Sequence, residues 1–152
     1  MRRREFVRTV GRMGGWAVGA DLLGYHPPIR LSANATLLIP MDDNQSDHLK
    51  AYGLAYRAIQ AGLKAEWLLN YRGGSFFIPD GDAMRRDATL NGIGFEPVDD
   101  GQVTAIRGEI EGANADAVPL EKAPKIAVDV PPNANPWDDA VTMALQYAGI
   151  PF

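Results

Sequence analysis

The feature that most constrains the fold is a short apolar run that leads through a polar turn into a helical pattern. The run covers residues 37–39 and the turn covers residues 40–46, after which apolar side chains recur at spacings of three and four from Leu49 to Leu63. A buried strand, a turn and an amphipathic helix in this order form the first half of a βαβ unit. Because α/β proteins place ligand sites at such turns, the sequence predicts an α/β fold with a binding site here.

The same alternation of strand and helix patterns continues as far as residue 112. For residues 25–112 it predicts a small three-layer α/β domain with a Rossmann-like or flavodoxin-like βαβ arrangement, in which the first two strands are parallel neighbours. The apolar run at residues 76–78 is either a hairpin arm or a bent continuation of the strand before it. Pro97 suggests an edge strand, since proline cannot donate to a sheet ladder. Strands are predicted at residues 36–39, 64–70 and 94–98, and helices at residues 47–61, 80–91 and 99–110. The predicted N-caps are Ser46 for the first helix and Asp99 or Asp100 for the third, and Gly62 and Gly92 are predicted to end the first and second helices.

Residues 113–123 show no hydrophobic period and are predicted to be a linker. Residues 124–152 then begin with a strand at residues 125–130 and continue into a helix that Gly149 ends. We interpret them as the first βα unit of a second, truncated α/β domain, and we expect the natural protein to be longer. The predicted N-cap of this helix is Asn135, with Pro136 at its first position, and its predicted buried face consists of Trp137, Val141, Ala144 and Leu145.

Charge is distributed unevenly along the chain. The 152 residues carry a formal net charge of −4, but the first 20 contain five arginines and one acid, which leaves 10 basic and 18 acidic residues in the remainder. Nucleic-acid backbone binding needs clustered Lys and Arg, so no nucleic-acid partner is predicted. The chain contains no cysteine, which excludes disulfides, thiolate metal sites and cysteine nucleophiles within it.

The arginines lie in an N-terminal segment that resembles a twin-arginine export signal. Arg3 and Arg4 match the arginine pair and are followed by Glu5, Phe6 and an aliphatic residue. The next residues, 9–23, are too short and too polar to span a bilayer. We therefore predict that residues 1–24 are a twin-arginine-type signal and that the protein is exported to the periplasm or cell envelope without a stable membrane span.

Two polar turns carry the candidate ligand-binding residues. If the first two strands are parallel neighbours, the turns that follow them lie side by side at one edge of the sheet, where polar side chains, glycine amides and an arginine could hold a small polar or anionic ligand. Helix capping, solvated turns and glycines with positive φ are the alternative explanation for the same residues. The candidates are Asp42, Asp43, Gln45 and His48 in the first turn and Asn70, Arg72, Gly73, Gly74 and Ser75 in the second.

No metal site or catalytic residue is predicted among these candidates. A calcium loop would need glycine at its sixth position and glutamate at its twelfth, where this chain has Asp47 and Gly53. There is no Walker loop, because no Lys-Ser or Lys-Thr pair follows Gly74. The sequence shows no nucleophile-base pair, and it does not identify a cofactor.

Three segments together resemble exported bacterial proteins called asparagine synthetase B or asparagine synthetase B-like. They are Ile39-Pro-Met-Asp with His48-Leu-Lys-Ala-Tyr-Gly53, then Trp67-Leu-Leu-Asn-Tyr-Arg-Gly-Gly-Ser-Phe76, and Leu120-Glu-Lys-Ala-Pro-Lys-Ile-Ala-Val128 with Pro136-Trp-Asp-Asp-Ala-Val141. The resemblance implies a longer protein in which the part from Lys125 is similar to the start of a flavodoxin-type, class I glutamine-amidotransferase-like domain.

The resemblance carries over no catalytic residue. Glutamine-dependent asparagine synthetases use an N-terminal cysteine after the initiator Met, where this chain has Arg2. Their ATP site contains Ser-Gly-Gly-x-Asp-Ser. The nearest string in this chain, Gly73-Gly74-Ser75, lacks both the leading Ser and the trailing Asp-Ser. We therefore expect a noncatalytic or ligand-binding segment of an exported protein. The alternative is part of an amidotransferase or amide-forming ligase whose catalytic residues lie beyond residue 152.

Overall fold

Strand β1 (Leu31–Ile39) is an inner strand of the sheet, with a partner on each side. The computed structural model describes residues 31–113, 115–129, 133 and 139–152, so the predicted signal, Asn135, Pro136 and Trp137 lie outside the described residues. On one side β1 pairs with β3 (Phe76–Gly81), and on the other with β4 (Glu96–Val98). Strand β2 (Ala65–Leu68) pairs with β3 and with β5 (Ala117–Leu120), which gives the order β4-β1-β3-β2-β5.

All four strand pairings in the described part of the chain are antiparallel. The α/β class is confirmed, but the prediction that β1 and β2 are parallel neighbours is wrong, because β3 hydrogen-bonds between them. Strand β2 still runs in the same direction as β1, since both are antiparallel to β3. The first four strands thus have the order of a split βαβ motif, in which each crossover skips one strand.

The β2–β3 connection explains why β3 takes the central position. Residues 69–75 are too few for a parallel crossover, so the chain returns as a hairpin, and residues 76–78 are its second arm. Phe76 and Ile78 pack into the core on one face of β3, and Phe77 packs into the core on the other. Strand β3, in the middle of the sheet, is therefore buried on both faces, whereas β2, one place nearer the edge, carries the partly exposed Glu66 and Trp67.

Helices cover both faces of the sheet and create three layers. Helices α1 (His48–Gln60) and α2 (Asp82–Asn91) pack on one face against Leu37, Ile39, Phe76 and Ile78. Helix α3 (Asp100–Gly112) packs its Ile106 and Ile110 on the other face against Leu38, Leu68, Phe77 and Val98.

The buried face of α1 differs from the predicted stripe. Leu49 and Tyr52 are 45% and 42% exposed, and α1 instead contacts the core mainly through small side chains, which let the helix lie close to the sheet. Its N-cap is Asp47 and not Ser46, because the Asp47 carboxylate accepts the Lys50 N–H. The buried residues of α1 are Ala51, Gly53, Leu54, Ala55, Ala58 and Ile59.

Other predictions of helix ends and strand positions are confirmed. Gly62, which follows α1, has φ +80°, and Gly92 ends α2 with φ +68°. Pro97 lies in β4 at the edge of the sheet. Asp99 caps α3 through a capping box with Gln102.

The C-terminal part of the chain differs most from its prediction. Residues 117–120 of the predicted linker form β5, because they extend the sheet along the free edge of β2. The predicted strand at residues 125–130 is wrong for residues 125–129, which form no strand, since β5 already occupies that edge.

Helix α4 (Ala140–Ala148) packs against α1. Its N-cap is Asp139, whose carboxylate accepts two backbone N–H groups, and not Asn135; Gly149 ends it as predicted. Within the predicted buried face of this helix, Val141 is 59% exposed, because α4 turns Ala148 toward α1 instead.

Candidate functional site

The two predicted turns meet at one edge of the sheet, which we call the rim. The rim consists of residues 40–48 after β1, which end at the first residue of α1, residues 69–75 between β2 and β3, and residues 92–96 at the start of β4. The Met41 N–H donates to the Arg72 carbonyl oxygen at 3.1 Å and so connects the first two segments directly. They meet because β1 and β2 run in the same direction on either side of β3, so both strands end at this edge.

Arg72 connects all three segments of the rim. Its Nε donates to Asp42 Oδ2 at 2.7 Å, and its Nη1 donates to Glu96 Oε1 and Oε2 at 2.9 and 3.0 Å. The guanidinium lowers the pKa of the Asp42 carboxyl below its usual value, and the hydrogen bond to Asp42 raises the pKa of Arg72. The positive charge predicted to attract an anion is therefore already shared by two carboxylates.

Gln45 fastens the first turn to the third and is only 5% exposed. Its side-chain amide donates to the carbonyl oxygens of Pro40 and Gly94 at 2.8 and 3.2 Å, and its Oε1 accepts the Gly94 N–H at 2.8 Å. Nearly all of its hydrogen-bonding capacity is used inside the protein. Gln45, one of the predicted ligand-binding residues, therefore holds the rim together and has little hydrogen-bonding capacity left for a ligand.

The hairpin turn contains four residues with positive φ. They include two that are not glycine, Asn70 at +61° and Arg72 at +44°, followed by Gly73 at +81° and Gly74 at +91°. A Cβ at Gly73 would lie 2.1 Å from the Met41 carbonyl oxygen, so only glycine lets the two turns approach this closely. Ser75 is fully buried, and its hydroxyl donates to the Arg72 carbonyl at 3.1 Å.

Three predicted site residues present exposed side chains at the rim. Asp43 and Asn70 are exposed. His48 is exposed as well, with its Nε2 3.2 Å from the Met41 carbonyl oxygen. Together with the guanidinium of Arg72, whose side chain is 26% exposed, they present a carboxylate, an amide, an imidazole and a cation to solvent.

Glu96 and the aromatic residues beside the rim are not among the predicted site residues. The Trp67 indole stacks on Phe76 with ring centroids 6.2 Å apart, and its Nε1 donates to the Gly74 carbonyl at 3.0 Å. Tyr52 lies edge-on to the same Phe76 ring at 5.6 Å. Since Trp67 and Phe76 are paired across β2 and β3, the hairpin register could have revealed their contact. No signal in the sequence joins Glu96 to Arg72.

The described residues contain no group of three or more His, Cys, Asp or Glu side chains able to hold a metal ion. Their buried side-chain polar atoms all have hydrogen-bond partners. Within this part of the chain, no helix has both the length and the apolar character needed to cross a membrane. What the rim offers chemically is hydrogen bonding and ion pairing with a small solute.

Comparison of the chain with protein-family models, with curated proteins and with solved structures found no match.

Proposed function

We propose that this chain is the noncatalytic, ligand-binding segment of an exported asparagine synthetase B-like protein and that its rim binds a small polar solute. One observation carries the ligand-binding part: two turns separated by a complete helix and strand are joined at one edge of the sheet through Arg72. The proposed family membership rests chiefly on the segment from Trp67 to Phe76, and the proposed export rests on the Arg3-Arg4 pair.

Backbone strain in the hairpin turn supports a ligand site at the rim. The left-handed region costs a residue other than glycine about 1 kcal/mol or more, and here both Asn70 and Arg72 adopt it. Arg72 carries most of this strain, because asparagine tolerates the region better than other side chains. Glycine at either position would remove that cost. Strained residues of this kind cluster at ligand-binding sites, where the side chain is needed in a particular direction.

The exposed groups of the rim favour a solute that both donates and accepts hydrogen bonds. Asp43 supplies an acceptor, Asn70 supplies both functions, and Arg72 supplies a cation that is already balanced by carboxylates. No deep cavity is needed for such a ligand, but the open position of these groups predicts weak binding. Small amides, amino acids and short carboxylic acids have suitable size and chemistry.

The experiment is a titration of the 152-residue chain with succinamide, glycine, succinate and glycerol, followed through backbone amide resonances. A rim site predicts saturable shifts of residues 41–48 and 69–75 with at least one solute. The variants Asp43→Ala and Asn70→Gly should weaken that response several-fold, and the glycine keeps the backbone conformation of residue 70. The matched control is Glu111→Ala, which removes an exposed acid on α3.

The proposal fails if none of these solutes shifts the rim resonances. It fails equally if Asp43→Ala and Asn70→Gly bind as the unchanged chain does. Export is tested separately: a reporter enzyme fused after residue 24 should reach the periplasm of a bacterial host, and replacing Arg3 and Arg4 with lysine should retain it in the cytoplasm.

A further inference from the structure

We infer that Glu96 occupies the position of a ligand carboxylate on Arg72, so that a small carboxylic acid binds the rim in competition with it. This inference rests on the proposed function and adds to it the chemical class of the ligand and an internal contact that limits its affinity. Glu96 belongs to the edge strand β4 and reaches the guanidinium from outside the hairpin.

The two carboxylates on Arg72 are held differently. Asp42 binds Nε at 2.7 Å, its side chain is 26% exposed, and it also accepts the Asn44 N–H. Glu96 binds Nη1 with both oxygens, and its side chain is 49% exposed. A half-exposed ion pair contributes little to stability, because water solvates both partners almost as well. Glu96 can therefore leave Arg72 at low cost, whereas Asp42 keeps the guanidinium in place.

A second arginine shows what an ordinary surface pair looks like in this protein. Arg107 on α3 donates to both oxygens of Glu66 at 2.7 Å, and the two side chains are 45% and 31% exposed. Its backbone is helical, so the pair forms without strain. Arg72 makes the same kind of contact from a backbone with φ +44°, a conformation that the Met41 N–H and the Ser75 hydroxyl stabilise by donating to the Arg72 carbonyl. The turn therefore holds the guanidinium at the rim whether or not Glu96 is bound to it.

The guanidinium is also placed where a solute can use it. A planar guanidinium recognises a carboxylate through two parallel N–H groups, which gives a carboxylic acid better geometry than a neutral amide. Asn70 lies in the same turn and is exposed, so it can bind a second polar group of the same molecule. A small dicarboxylate or an amino acid fits this arrangement.

The experiment compares succinate with its neutral analogue succinamide in the wild-type chain, in Glu96→Gln and in the control Glu66→Gln. Affinities are measured from rim amide shifts at constant ionic strength. Removing the competing carboxylate should strengthen succinate binding about two- to fivefold in Glu96→Gln. Succinamide binding should stay unchanged in that variant, and succinate binding should stay unchanged in Glu66→Gln.

Equal succinate affinities in wild type and Glu96→Gln overturn the inference. An equal gain in Glu66→Gln also overturns it, because it would show a general effect of reduced negative charge. If succinamide binds the rim while Glu96→Gln leaves succinate binding unchanged, the proposed function stands and this inference fails. If neither solute shifts the rim in any of the three proteins, this inference fails, and the proposed function fails with it when glycine and glycerol leave the rim unshifted as well.

Discussion

Gly53 lies in the middle of α1, where the usual effect of an alanine is reversed by the packing of α4. In an ordinary helix interior, replacing glycine with alanine stabilises by about 0.5–1 kcal/mol, because alanine loses less conformational freedom. A Cβ at Gly53 would lie 1.9 Å from the Ala148 carbonyl oxygen, and real Cβ atoms essentially never approach closer than 3.0 Å. Gly53→Ala therefore requires the C-terminal end of α4 to move by about 1 Å or more.

That movement disturbs the contacts that hold α4 on α1. Arg57 Nη1 donates to the same Ala148 carbonyl at 2.9 Å, and the Tyr147 hydroxyl donates to the Asp47 carboxylate. Overpacking of a close contact costs about 1–3 kcal/mol. We expect this cost to cancel or exceed the gain in helix propensity, so Gly53→Ala should be neutral or less stable than wild type.

Gly108 in α3 is the matched control for this substitution. It is exposed and mid-helical, and a Cβ there would have no neighbour within 4 Å. Urea unfolding at neutral pH should show Gly108→Ala about 0.5–1 kcal/mol more stable than wild type and about 1–3 kcal/mol more stable than Gly53→Ala. Amide hydrogen exchange in α4 should accelerate in Gly53→Ala alone. An equal gain in both variants, with α4 amides protected as in wild type, would refute the reasoning.

Two further substitutions test buried polar groups. Gln45→Ala should destabilise by about 2–3 kcal/mol in urea unfolding, because it leaves the buried Pro40 carbonyl and the partly buried backbone groups of Gly94 without partners. A change within about 0.5 kcal/mol would contradict that role. Asp80→Asn should lose about 1–2 kcal/mol at pH 7, because the buried carboxylate binds Arg85 Nε at 2.6 Å. Arg85 lowers the pKa of Asp80, so this stabilisation is fully present above the unfolded-state pKa of about 3.9 and is lost as pH falls through the lower folded-state pKa. Unfolding curves from pH 7 to pH 2 should show the difference between the two proteins shrinking only below about pH 4–5, and a constant difference would contradict the ion pair.

Helix ends were predictable because their signals involve residues a few positions apart. Asp99 and Gln102 bond to each other's backbone N–H groups, so the capping box can be recognised within four residues. Gly92 and Gly149 end helices through their own positive φ, which needs no distant partner. Short-range signals are ambiguous at Ser46 and Asp47, because both side chains suit an N-cap. The choice depends on a distant residue, since the Ser46 hydroxyl donates to the Gly92 carbonyl and Asp47 is left to cap the helix.

Strand pairing was less predictable, because it depends on which segments meet across the sheet. The sequence shows that residues 37–39 are apolar, but not that β3 and β4 are the neighbours of β1. The apolar character of Phe76 to Ile78 on both faces was the available sign of a central strand. Residues 117–120 contain a proline and only four strand residues, so a pattern of this length does not distinguish β5 from a linker.

The rim was predicted from an incorrect sheet, and the reason it was still found is geometrical. In a parallel sheet, β1 and β2 would end at the same edge as direct neighbours. Because β3 is antiparallel to both β1 and β2, these two strands still run in the same direction. The hairpin turn between β2 and β3 therefore lies at the edge where β1 also ends. The position of the turns therefore follows from strand direction alone.

The roles of individual side chains do not follow in this way. Gln45 is buried by contacts to Gly94, 49 residues away, and Arg72 is balanced by Glu96, 24 residues away. A sequence can thus indicate which loops share an edge, whereas the polar groups left free for a ligand are known only once the long-range pairs are known.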